Sequence, residues 1–140
     1  MTGWCGVSEV VYIKSRYERL KADSRRLDVK DVLLATAGML DSEPRVLATV
    51  RAQYRFFTVD EYQDVSPLQH RLLTLWRGER TDVCVVGDAS QTIYSFTGAT
   101  SAYLLGFERE FPQAHVVRLQ RNYRSTPAVL GLANRLMRDR

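Results

Sequence analysis

The sequence predicts an α/β fold, with a parallel sheet behind a helical N-terminal segment. Three observations lead there. Short apolar, β-prone runs at Phe56-Phe57-Thr58-Val59, Val83-Cys84-Val85-Val86 and Val116-Val117-Arg118-Leu119 each end in polar residues. Between the runs lie stretches of helical spacing and ordinary crossover length, as in βαβ units with parallel strands. Ahead of the first run, apolar residues recur only at helical spacing.

Each element has its own signal. Val10, Ile13, Tyr17 and Leu20 predict a first helix over residues 8–21, with Arg16, Arg19, Lys21, Arg25 and Arg26 clustered near its end. Asp28 is a good N-cap for a second helix through Val32, Leu33 and Met39. A third follows Ser42, where Pro44 suits a first helical turn. The run at Phe56 reads as a buried strand ending in Asp60-Glu61. Ser66 and Gln69 form a capping box for a helix that carries Leu72, Leu73, Leu75 and Trp76 and stops near Gly78. The run at Val83 reads as a second buried strand, with Cys84 a small buried hydrophobe, ending in Gly87-Asp88. A helix over residues 101–111 stops at Pro112, a third strand follows at Val116, and Pro127 opens a last helix through Leu130, Ala133, Leu136 and Met137.

Bulk properties exclude several classes. The 140 residues are 45% hydrophobic and 26% charged, an ordinary soluble composition for one domain or part of a larger one. No apolar run approaches the roughly 18 residues of a membrane span, and the first residues do not read as a secretion signal. A cytoplasmic chain with no membrane partner is expected. Cys5 and Cys84 are far apart with no metal-like spacing, so neither a disulfide nor a thiolate metal site is expected. The net charge of +4 permits an acidic partner, and the basic residues are mostly arginine, which suits bidentate phosphate contacts.

In parallel sheets, ligands bind beyond the carboxyl ends of the strands. Polar clusters follow all three predicted strands, at Asp60-Glu61, at residues 88–91 and at residues 121–124, and can face one site. One carboxylate of Asp60-Glu61 can serve a magnesium ion and the other an attacking water, or both can be a solvated acidic strand end. Gln91 can sense a terminal phosphate without adding charge, or be a turn residue. Tyr94 and Phe96 can stack on bases or anchor a core. Arg124 can stabilise a transferring phosphate and Tyr123 can stack on a purine; the alternatives are a surface arginine and a buried tyrosine.

At these residues the chain resembles the superfamily 1 DNA helicases of the UvrD/PcrA/Rep type. Phe57-Thr58-Val59-Asp60-Glu61-Tyr62-Gln63-Asp64 is similar to their Walker B motif. Residues 86–99, Val-Gly-Asp-Ala-Ser-Gln-Thr-Ile-Tyr-Ser-Phe-Thr-Gly-Ala, are similar to the third motif, and residues 119–127, Leu-Gln-Arg-Asn-Tyr-Arg-Ser-Thr-Pro, to the fourth. A weaker match covers residues 27–34. The resemblance implies part of a P-loop NTPase motor of the RecA-like kind, using ATP and Mg2+, moving 3′ to 5′ on single-stranded DNA and opening duplex junctions in DNA repair. By the same resemblance, Asp60 serves magnesium and Glu61 the attacking water. Gln91 contacts the γ-phosphate and links it to the DNA groove. Arg124 reaches the γ-phosphate across an interdomain cleft, Tyr123 stacks on adenine, and Tyr94 and Phe96 contact bases. Residues 1–26 then correspond to the tail of an inserted helical subdomain, residues 27–111 to the C-terminal part of a first motor domain, and residues 112–140 to the start of a second.

The chain departs from the pattern in places. Phe96 stands where many relatives have Trp, Thr97 in the DNA groove where many have Arg, and Lys30 where an acid is usual. No G-x-x-x-x-G-K-[ST] occurs, and Lys14, Lys21 and Lys30 all precede the first predicted strand. Expected, therefore, is an internal segment of a longer helicase, inactive alone and partnered by the remainder of that protein. The alternative is a non-catalytic nucleic-acid-binding module derived from one. A receiver-like domain with Asp60 as phospho-acceptor is disfavoured, since no lysine follows Lys30.

Overall fold

The structure, a computed structural model, describes residues 6–138. It is a mixed helix and strand architecture around a small parallel sheet. Helix α1 spans Val7–Asp23, α2 spans Val29–Ser42 and α3 spans Pro44–Gln53. At the start of α1 the Glu9 carboxylate accepts the Gly6 N–H at 2.8 Å. At the start of α2, Asp28 accepts the Asp31 N–H at 2.9 Å while Asp31 accepts the Asp28 N–H at 3.0 Å, a reciprocal cap built from two aspartates.

The joint between α1 and α2 is polar. Lys21 is only 9% exposed, and its ammonium lies 2.9 Å from Glu18, 3.0 Å from Asp28 and 2.7 Å from Asp31. Tyr17 donates its hydroxyl to Asp28 at 3.0 Å. Arg25, in the connecting turn, takes a left-handed φ of 51°, uncommon for a side chain with a Cβ. Outside this joint, α1 leaves Val7, Tyr12 and Ile13 exposed.

Strand β1 is Phe57–Val59 and β2 is Val83–Val85, paired in parallel with Thr58 opposite Cys84. Helix α4, Pro67–Arg77, makes the crossover. Its start is the expected capping box, with Ser66 accepting from Gln69 N, and it ends at Gly78 with φ 63°. α4 packs on α2 and α3, and Ala37 and Leu40 of α2 are buried there. Trp76 meets Phe57 edge-on at 5.9 Å and Tyr54 at 5.3 Å, covering one face of the sheet. Arg51 of α3 donates twice to the Leu75 carbonyl, at 3.0 and 2.7 Å, closing the end of α4. A second buried cluster gathers Tyr62, Val65 and Ala99, with Tyr62 edge-on to Phe107 at 6.0 Å.

Three expectations need correction. Residues 116–119 form no strand; their hydrophobic side chains are exposed, with Leu119 at 91%. β1 and β2 are covered on one face only, so their outer residues Thr58 and Cys84 are exposed and Cys84 is not a core residue. The helix over residues 101–111 is two short ones, α5 at Ala102–Leu105 and α6 at Phe107–Glu110, broken at Gly106, a poor helix former. Helix α3 starts at Pro44, in its first turn as expected, with Glu43 at the cap position. Helix α7 is Pro127–Arg138, as Pro127 predicts. Cys5 lies outside the described residues. Among those residues, no helix is long and apolar enough to cross a membrane.

Candidate functional site

The site is built where β1 and β2 end side by side. Val86 N–H donates to Val59 O at 2.8 Å and Tyr62 N–H donates to Val86 O at 2.9 Å, carrying the pairing past the strands. Asp60 therefore leaves β1 next to the point where residues 87–91 leave β2. Asp60 is exposed and accepts the Glu61 N–H at 2.8 Å. Glu61 takes a left-handed backbone, φ 52° and ψ 40°, and starts a 3₁₀ turn over Tyr62–Asp64. A side chain held at positive φ marks a place where surrounding contacts override local preference.

Those contacts run through Gln63, which is 1% exposed. Its Nε2 donates to the Glu61 carboxylate at 2.7 Å, and its Oε1 accepts the Asp88 N–H at 3.1 Å. Asp88 continues the chain of bonds. Its carboxylate caps the 3₁₀ turn Ala89–Gln91, accepting from Ser90 N–H at 2.9 Å and from Gln91 Nε2 at 3.0 Å. The Gln91 amide, followed by the Ser90 N–H, holds the Asp88 carboxyl below the usual carboxylate range. Glycine at position 87 leaves room for this tie: a Cβ there would sit 2.6 Å from Gln63 Oε1 and 3.2 Å from Tyr62 N, so Gln63 would have to shift.

The aromatic candidates lie beside this network. Tyr94 N–H reaches the Asp64 carboxylate at 3.4 Å, and Val65 O accepts the Thr100 N–H at 3.3 Å. Between these anchors, Ser95–Thr97 forms a 3₁₀ turn that ends at Gly98, φ 90°. Thr97 Oγ1 donates to Tyr94 O at 2.8 Å, so this threonine closes its own turn. The Tyr94 and Phe96 rings are 6.0 Å apart, and Phe96 is 81% exposed. An exposed, locally braced aromatic pair is suited to stacking on planar groups.

The third cluster stands apart from these ties. Asn122 accepts the N–H groups of Arg124 and Ser125, both at 2.9 Å, and the Arg121 guanidinium lies over the Tyr123 ring at 5.0 Å. Tyr123 and Arg124 are exposed, and the hydrogen bonds of this turn are local. Glu61 and Gln91 are linked through Gln63 and Asp88, with Asp60 next to Glu61 at the end of β1; Tyr123 and Arg124 are on a separate exposed turn. Sequence reasoning placed Gln63, Asp64, Gly87 and Asp88 inside the motifs or the polar clusters but gave them no role. The signal available was their place inside the two motifs, beside the residues given roles.

The UvrD/REP helicase N-terminal domain family matches residues 7–112. The chain belongs to that family. Among its relatives, an ATP-dependent DNA helicase named UvrD2 from Mycobacterium tuberculosis is 52% identical over 133 residues, 93% of this chain and 19% of that protein. UvrD2 of Mycobacterium bovis matches equally, at 52%. An ATP-dependent DNA helicase named PcrA from Staphylococcus aureus is 34% identical over 130 residues, 93% of this chain and 18% of that protein. The chain thus spans about a fifth of the length of the relatives it matches.

In this UvrD/REP family chain, carboxylate and amide groups gather beyond the carboxyl ends of two parallel strands, where such sheets bind ligands. Among the described residues, no group of three or more His, Cys, Asp or Glu side chains is placed to hold a metal. The exposed Asp60 carboxylate has the chemistry magnesium takes, one oxygen ligand beside retained waters and phosphate oxygens. It does not fit a metal enclosed by protein ligands.

Proposed function

We propose that this chain is a segment of an ATP-dependent 3′–5′ DNA helicase, contributing the magnesium, water-orienting and base-stacking groups of its motor. The observation that supports this reading is the bonded series Glu61–Gln63–Asp88–Gln91 across the ends of two parallel strands, in a chain of the UvrD/REP family. Residues 1–26 are assigned to an inserted helical subdomain, 27–111 to a partial RecA-like P-loop NTPase domain and 112–140 to the start of its partner domain.

In this reading Asp60 holds magnesium, which when bound offsets the charge of the ATP phosphates. Glu61 orients the attacking water and accepts its proton. Gln91 offers a neutral amide to the γ-phosphate. Arg124 supplies positive charge to that phosphate once residues 121–125 are brought over the strand ends, and Tyr123 stacks on the adenine. Tyr94 and Phe96 stack on bases of single-stranded DNA, with Thr97 bracing the turn that carries them. The work served is duplex opening at junctions, in DNA repair.

One observation fits a second reading, a non-catalytic nucleic-acid-binding module: the exposed Tyr94 and Phe96 rings suit stacking on bases with no nucleotide involved. Both readings predict salt-sensitive binding of single-stranded DNA and no DNA-stimulated ATP turnover by the 140-residue chain. A steady-state ATPase assay with Glu61→Gln as control checks the latter; turnover abolished by Glu61→Gln would overturn it. The two readings separate on nucleotide. Addition of Mg-ATP to the labelled chain should shift the NMR signals of Asp60 and Gln91, more than Mg2+ or ATP alone. No shift at either residue leaves the binding module.

A further inference from the structure

We infer that Gln63 is a positioning residue that fixes the Glu61 carboxylate and couples it to the loop carrying Gln91; the proposal deepens the nucleotide-site reading and rests on it for its catalytic meaning. Chemistry sets the direction of the amide. A carboxylate only accepts hydrogen bonds and a peptide N–H only donates. The Gln63 Nε2 must therefore face Glu61, at 2.7 Å, and its Oε1 must face Asp88 N–H, at 3.1 Å. Turning the amide over would set oxygen against oxygen and N–H against N–H, losing both bonds together. At 1% exposure the Gln63 amide itself has little access to water, so losing either partner leaves one of its polar atoms buried and unsatisfied, which favours the two bonds together.

The surroundings are shaped to this amide. Gly87 leaves room for its oxygen, since a Cβ would lie 2.6 Å from it and 3.1 Å from Leu104 Cδ2. Glu61 reaches its amide from a left-handed backbone at φ 52°. Beyond Asp88, the carboxylate-to-amide bond of 3.0 Å extends the tie to Gln91. A displacement of the Glu61 carboxylate therefore releases one end of Gln63, loosens the Asp88 N–H and shifts the turn Ala89–Gln91. Water orientation at Glu61 and phosphate sensing at Gln91 become one mechanical unit. In this proposal Gln63 acts through Glu61 and the Gln91 loop rather than on the reacting atoms.

The test is NMR and amide exchange on the whole 140-residue chain without nucleotide, so its outcome is independent of whether Mg-ATP binds. Glu61→Ala should shift the Gln63 and Gln91 side-chain amides and the Asp88 N–H. Asp88 exchange should become roughly tenfold faster, about the effect of one hydrogen bond. In a Gln63→Met background, the same Glu61→Ala change should move nothing at Asp88 or Gln91. Gln63→Glu, which keeps an acceptor for Asp88 but repels Glu61, should likewise silence the response. A Gln63 that only fills space would leave Asp88 and Gln91 unmoved by Glu61→Ala. That result overturns the proposal from one exposed-site variant alone, whether or not the Gln63 variants fold.

Discussion

Residues 57–91 and residues 116–125 carry similar sequence, β-prone apolar runs followed by polar groups, yet fold differently. In the first region, Phe57 pairs with Val83 and Val59 with Val85, Trp76 covers one face, and the polar loops beyond are locked through a buried amide. In the second, among the described residues, the run has no strand partner, its hydrophobic side chains lie exposed, and the side-chain hydrogen bonds of the turn after it stay within the turn. Strand propensity is thus a capacity, realised when a neighbouring edge supplies pairing and a helix supplies cover. The same difference separates the candidate site residues: those whose loops are tied to each other are held in register, and those beyond an unpaired run are not.

Stability tests the contrast most strongly. Leu40, 2% exposed under α4, should cost about 2–5 kcal/mol when changed to Ala, the range for an emptied core position. Leu119→Ala, at 91% exposure, should stay within about 0.5 kcal/mol of the parent. Urea denaturation of the two variants checks both. A large loss at Leu119 would mean that residues 116–119 pack in solution, and would erase the distinction.

Binding sharpens it next. Phe96→Ala should weaken single-stranded DNA binding by about 1–3 kcal/mol if a base stacks on the braced pair of rings. Tyr123→Ala, on the untied turn, should weaken it less. Fluorescence anisotropy at fixed salt decides, and equal losses would place both aromatics on one DNA surface. Ser66→Ala, removing a side-chain cap of α4, should cost about 1 kcal/mol of stability without touching DNA affinity.

Much of this arrangement was legible in sequence, for physical reasons. Helix starts are written in one or two residues: Asp28, Pro44, Ser66 and Pro127 open helices where their local chemistry predicts. The first two strands were readable because the sequence supplies both partners and the α4 crossover. The third was misread because its sequence shows strand capacity and says nothing of pairing. Cys84 was misplaced for a related reason, since an apolar run reads as buried on both faces while only one is covered. Gln63 was invisible as a tie because its role needs the Asp88 N–H, brought to it only by the parallel pairing of two distant strands.

The smallest effect expected at neutral pH lies in α1, a region held to the body by charge rather than by packing. Its Asp28 carboxyl is pulled down to about 2, first by the Asp31 N–H and then by the Lys21 ammonium. Asp31 is lowered too, mainly by Lys21, and Lys21 is raised, mainly by Asp31. A carboxyl lowered by folding stabilises the fold above its unfolded value, near 4, and that contribution fades as pH falls toward about 2. The lysine works in the opposite sense: its contribution is complete below its unfolded value, near 10.4, and is lost only as pH rises beyond that. Between these limits the joint should be indifferent to pH. Carboxyl-detected NMR should give an Asp28 midpoint of about 2 in the native chain. Lys21→Met should raise that midpoint only part of the way toward the ordinary value, because the Asp31 N–H bond at 2.9 Å belongs to the cap of α2 and survives the substitution. An ordinary Asp28 midpoint in the native chain would mean that the joint is open in solution and that α1 is attached by its turn at Arg25 alone.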